Sequence, residues 1–306
     1  MIDFAVILFG LIIGSFLSVC VYRIPLGRAS GIEEMLEEDS DEAQAENQSE
    51  QDSVILNSPH FTQRVTITFP PRSFCPHCGE QLKWYHNIPL FSFLFLRGKC
   101  GFCQAGISFR YPLTELLSAV FAWLSYSTFD TPTAIVAYLL CAAFLVLSFI
   151  DIEYFLLPNV ITYPATIIGL TIALIQGYAP FIESPPFVSN ISEALIGVLA
   201  GAGSLLLISL FYTYVRKKQG LGLGDVKLLA VTGAFFGLNG AFYTIFVGSL
   251  LGSFLGIALL LLGRGKWSSY LPFGPYLVAA NLLYLFYAEQ FALIVEDIAM
   301  QQMGGG

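Results

Sequence analysis

The chain has 306 residues, 56% of them hydrophobic and only 12% charged, with a formal net charge of −8. So little charge cannot cover the surface of a soluble domain of this length, which excludes an ordinary globular protein. No nucleic-acid partner is expected of so acidic and apolar a chain.

Eight mostly apolar segments follow one another, at 4–22, 113–128, 133–150, 160–176, 192–215, 226–238, 240–262 and 273–294. Several reach the ~20 residues that a bilayer-spanning helix needs. The shorter ones, 226–238 above all, could be buried helices that do not span fully. The expected fold is therefore an all-α polytopic membrane protein with about eight transmembrane helices and a loop between the first two. Residues 1–22 form the first helix, 23–112 the loop, 113–294 a seven-helix membrane core and 295–306 a tail. The first segment has no basic stretch before it, and Arg23 and Arg28 follow it. A cleavable signal has the reverse order, so this helix is read as retained.

The loop has two parts. Residues 29–63 hold ten acidic residues and no Lys or Arg, in a Ser-, Glu- and Gln-rich run. Such a stretch buries too little to offset the entropy of ordering, so disorder is expected. Residues 70–112 carry Cys75 and Cys78, then Cys100 and Cys103, with 21 residues between the pairs. Each pair sits among turn residues, Pro76 and Gly79 at one, Gly101 and Gly106 at the other. Two such knuckles can close a tetrahedral four-thiolate site, which reads as a zinc-ribbon-like module with structural zinc. Two disulfides or free thiols are the competing readings, and the reducing side of the membrane disfavours disulfides. His77 and His86 are taken as bystanders, and Cys20 and Cys141 as buried apolar residues within helices.

The fourteen Lys and Arg sort by connection: eight from Arg23 to Arg110, four from Arg216 to Lys227, then Arg264 and Lys266. The alternate connections near Asp130, 177–191 and Asn239, and the tail, hold none. Eight helices then place every basic residue on one side, which the positive-inside rule makes the cytoplasm, with both termini outside. Glycines at four-residue spacing (Gly10/Gly14, Gly197/Gly201, Gly233/Gly237, Gly248/Gly252/Gly256) predict close helix packing in lipid.

Most carboxylates lie in loops. Two stand apart: Asp151 ends the third apolar segment in LSFIDIEYFLLPN, and Asp225 opens the sixth in GLGLGDVKLLAVTG. The topology puts both at the cytoplasmic edge. Two carboxylates at one depth on different helices suit an aspartic protease, in which one takes a proton from water and the other polarises the scissile carbonyl. Taken singly, Asp225 could be a dipole-stabilised helix start and Asp151 an interfacial charge. Gly220, Gly222 and Gly224 give Asp225 a side-chain-free approach.

Five segments in order resemble the type IV prepilin peptidases, bifunctional leader peptidase/N-methyltransferases of the Gly-x-Gly-Asp membrane aspartic protease class. They are GSFLSVCVYRIP at 14–25, RSFCPHCGEQLKWYHNIPLFSFLFLRGKCGFC at 72–103, ISFRYPLTELL at 107–117, FIDIEYFLLPNVITYP at 149–164 and GLGLGDVKLLAVTGAFFG at 220–237. The resemblance implies that Asp151 and Asp225 are the catalytic pair and that the four cysteines match the family's tetrad. It implies cleavage of prepilin and pseudopilin precursors in the inner membrane, then methylation of the new N-terminal residue with S-adenosylmethionine. Gly14 falls in the segment the family links to methyl transfer. The acidic run at 29–63 is longer than the family leads one to expect. The rival classes are a proton- or ion-coupled transporter and a non-catalytic membrane scaffold. Beyond the peptide substrate, membrane lipid is the expected partner.

Overall fold

The structure is a computed structural model and describes residues 1–26, 54–58, 61–65, 72–216, 222–262 and 271–304. Seven long helices are present among these residues: α1 (Ile2–Arg23), α3 (Arg110–Thr128), α4 (Thr131–Tyr154), α5 (Asn159–Tyr178), α6 (Ile191–Arg216), α7 (Leu223–Leu261) and α8 (Gly274–Gly304). A short α2 (Phe91–Phe95) lies in the first loop. Five of them, α1, α4, α5, α6 and α7, are long and apolar enough to cross a membrane.

The eight apolar segments map onto seven helices because two of them share α7. The break between them is at Gly237 (φ 66°, ψ −158°), not at the connection expected near Asn239. Only a residue without a Cβ adopts that conformation at little cost, so the glycine sets the break. Likewise α8 runs past 294 into the expected tail, with a break at Tyr287.

The acidic run is a partial miss. Residues 27–53 lie outside the described residues, but its end forms β1 (Val54–Ser58), paired antiparallel with β2 (Phe61–Val65) so that Val54 faces Val65. The acidic residues stop at Asp52, and the β-branched Val54 and Ile55 that follow suit a strand.

The chain divides into two compact units, Met1–Ser127 with Tyr138–Leu156, and Thr128–Ala137 with Leu157–Gly306. In the first, α1 packs on α3 through its glycines. A Cβ at Gly10 would lie 2.6 Å from the Ala119 Cα, and one at Gly14 the same distance from the Glu115 Cα. This close approach lets the Ser118 hydroxyl donate to the Gly10 carbonyl (2.8 Å), while Ser118 also shares a 2.9 Å hydrogen bond with Tyr138 of α4. Phe144, Leu147 and Ile150 of α4 are fully buried, as is Cys141, whereas Cys20 is only half-buried.

In the second unit α6 crosses α7 at backbone distance. A Cβ on Gly233 would stand 2.3 Å from the Gly197 carbonyl carbon, and one on Gly197 would stand 2.5 Å from Gly237. Near this crossing the Val188 N–H donates to the Phe235 carbonyl (3.0 Å). Buried Thr244 of α7 donates to Asn281 of α8, whose amide nitrogen donates in turn to Leu277 O (2.9 Å).

Candidate functional site

The cysteine module is built from one local pattern used twice. Phe74 bridges Gln81 and Lys99 bridges Gly106 in antiparallel fashion. Within the first knuckle the Cys75 N–H donates to Glu80 O and the Gly79 N–H to Cys75 O. In the second, the Cys100 N–H donates to Ala105 O and the Gln104 N–H to Cys100 O. Gly79 (φ 73°) and Gln104 (φ 59°) hold equivalent left-handed positions. The four Sγ atoms that result all lie within 4.8 Å of one another, with Cys75 and Cys103 3.9 Å apart. Zinc–thiolate bonds of ~2.3 Å place tetrahedral ligands roughly 3.8 Å apart, so the donor set and its size fit one such ion. Burial pushes the Cys75 thiol up to about 12. Cys100 is also opposed by burial, yet the Cys103 and Phe102 amides help bring it down to about 7. Neither histidine belongs to the sulfur cluster. His86 instead packs edge-on against Tyr85 and Phe102, its ring centroid 4.6 and 5.3 Å from theirs.

The same unit holds a cavity of about 420 Å³ between the Arg23 end of α1, the cysteine module, the start of α3 and the end of α4. Its wall includes Tyr22, Arg23, His86, Tyr111, Glu115 and Glu153. Arg23 is only 7% exposed and donates to the Arg72 carbonyl (3.3 Å). Arg110 and Glu153 form an ion pair. Glu115, buried in the first turns of α3, accepts the Leu90 N–H at 2.8 Å, which anchors a residue held at φ 59°. Sequence reasoning passed over Glu115. The available signal was an acidic residue inside the apolar segment 113–128, where a charge is expensive.

The two aspartates fall in different units. Asp151 is 6% exposed in the last turn of α4, and its carbonyl accepts the Phe155 N–H (2.9 Å) where the chain leaves the helix at φ 53°. Asp225 is half-buried in the first turn of α7, and its N–H donates to Gly222 O (3.1 Å). A Cβ on Gly224 would meet the Leu157 side chain at 3.1 Å, so the glycine lets α7 start against Leu157. One turn on, Lys227 donates to Asn159 (2.7 Å) and lies over the Tyr163 ring. Gly220 lies outside the described residues. Both aspartates thus occupy helix ends of the expected sense.

The profile of the Bacterial Peptidase A24 N-terminal domain matches residues 8–129, and that of the Type IV leader peptidase family matches 138–257. A protein of Aeromonas hydrophila named "Prepilin leader peptidase/N-methyltransferase" is 38% identical over 93% of this chain and 90% of its own length. Proteins of the same name from Pseudomonas aeruginosa and Burkholderia pseudomallei are 34% and 32% identical, over 93% and 95% of this chain and 90% and 87% of theirs. No solved structure matches. With its apolar helices the chain is a multi-pass inner-membrane protein, and these matches show that it belongs to the type IV leader peptidase family.

Proposed function

We propose that the protein is a prepilin leader peptidase that also N-methylates its product, acting on type IV prepilins and pseudopilins at the cytoplasmic face of the inner membrane, with both termini periplasmic. Asp151 and Asp225 form the catalytic pair. One carboxylate takes a proton from water as its oxygen attacks the scissile carbonyl. The other, protonated, donates to the carbonyl oxygen, and the departing amine receives a proton as the tetrahedral intermediate collapses. Asp225 opens its helix, where the dipole favours a carboxylate, which assigns it the base role. A substrate with a basic leader in the cytoplasm and an apolar helix in lipid presents its scissile bond at the interface.

The observation that carries the reading is local. Within the second unit the Leu157 side chain packs on Gly224, the residue before Asp225, and so fixes where α7 begins. Each aspartate sits at the end of an apolar helix, where an acidic group needs a functional reason. Cys75, Cys78, Cys100 and Cys103 would hold a structural zinc ion that cross-links the two knuckles. S-adenosylmethionine would supply the methyl group.

The test is cleavage of a prepilin by purified wild type, Asp151→Asn and Asp225→Asn in detergent. Each substitution should lower the rate by about 10²–10⁴-fold, the range of general acid–base catalysis. If both variants still cut at wild-type rates, the two aspartates are not the catalytic machinery, and if the wild type is inert the transporter and scaffold readings replace this one.

A further inference from the structure

The cavity of the first unit is placed beside the cysteine module, and the peptidase chemistry described above makes no use of it. We propose that this cavity is the binding site for the methyl donor, an adenosine nucleoside that carries a sulfonium cation and a zwitterionic amino-acid tail. The inference rests on the methyl-transfer reading of the preceding subsection and assigns it a place and residues.

The volume of about 420 Å³ lies in the range of small-molecule sites. The wall matches the ligand part by part. Tyr22, Tyr111 and Tyr154 line the wall and supply aromatic rings for a purine, Tyr111 with the Arg110 guanidinium already over its ring. A sulfonium has a fixed positive charge and no hydrogen to donate, so it is recognised by carboxylates and ring faces rather than by hydrogen-bond acceptors in general. Glu153 and Glu115 supply carboxylates there, and Glu153 is the more exposed of the two. The donor's own carboxylate requires a cation, and buried Arg23 is held in the wall by its bond to the Arg72 carbonyl.

One atom points independently to a ligand. His86 is a wall residue whose Nδ1 is buried and has no hydrogen-bond partner among the described residues. A buried polar atom without a partner is a standing cost that a bound ligand relieves. The wall also includes Cys75 and Cys100, so the knuckles shape the cavity they border.

The experiment is isothermal titration calorimetry of the full-length protein in detergent with S-adenosylhomocysteine, the demethylated product, and with S-adenosylmethionine. Three wall variants are compared, His86→Phe, Glu153→Gln and Tyr22→Leu, each checked for wild-type metal content and monodispersity. His86→Phe keeps the ring and removes the nitrogen, and should weaken both ligands about five- to tenfold. Glu153→Gln should weaken the cationic donor by about tenfold more than its neutral product. Equal affinities in wild type and in every variant that passes the fold check would overturn the proposal, while methylation by the wild type would leave the methyl-transfer reading standing. A wild type that neither binds the donor nor methylates a cleaved peptide would overturn both.

Discussion

Residues 72–110 wrap around four sulfurs with almost no apolar interior: within that stretch only Cys75 and Cys100 are buried. At the α6–α7 crossing, by contrast, two apolar helices meet backbone to backbone through Gly197, Gly233 and Gly237. The first region has the four-thiolate set that one ion would tie together, and the second is held by shape. A small soluble module cannot bury enough surface to fold on hydrophobic contacts, while lipid gives helices no hydrophobic reason to associate and leaves close packing as the means.

The largest effect should come from removing the ion. Cys75→Ser with Cys100→Ser should eliminate the bound zinc and, with it, binding worth about 10–16 kcal/mol. Hydrogen exchange should then show loss of protection across 72–108, with α6 and α7 unchanged. Protection that survives metal loss would mean that packing holds the module after all. Next, Gly233→Leu forces apart helices whose backbones already touch, and should cost about 3 kcal/mol or more, read as a lower melting temperature in detergent. Glu115→Gln replaces the carboxyl acceptor of the Leu90 N–H with an amide. A loss of about 1 kcal/mol is expected, seen as faster exchange of that single amide. Smallest of all is Gly203→Ala. Its Cβ would meet nothing within 4 Å among the described residues, so the change should be neutral or stabilising by up to about 1 kcal/mol.

That last contrast shows what the sequence could convey. Four-residue glycine spacing marks where helices can approach, but not which glycine meets a partner. Gly197 and Gly233 touch backbone, whereas Gly256 meets only Leu271 at an ordinary 3.6 Å. The cysteine cluster was legible because each knuckle is local and the repeated pair spacing supplies the long-range rule. The helix-end positions of Asp151 and Asp225 were legible because a charge beside an apolar run marks a boundary. Glu115 was not, since its partner is a backbone amide 25 residues away in a conformation that no spacing reveals. The break at Gly237 falls two residues before the connection expected near Asn239, because apolar runs mark where a segment ends only approximately, while the observed φ requires the glycine.

The repeated knuckle has a further consequence. Every element of the first, from Phe74 through Cys75 and Gly79 to Gln81, recurs 25 residues later in Lys99, Cys100, Gln104 and Gly106. Each half draws its turn from the same few short-range backbone bonds, too few to persist once nothing ties the halves together. A chelated protein would lose both turns at once, so reloading would couple two small folding events to one capture, and recovery would be slower than the encounter of thiolates with metal.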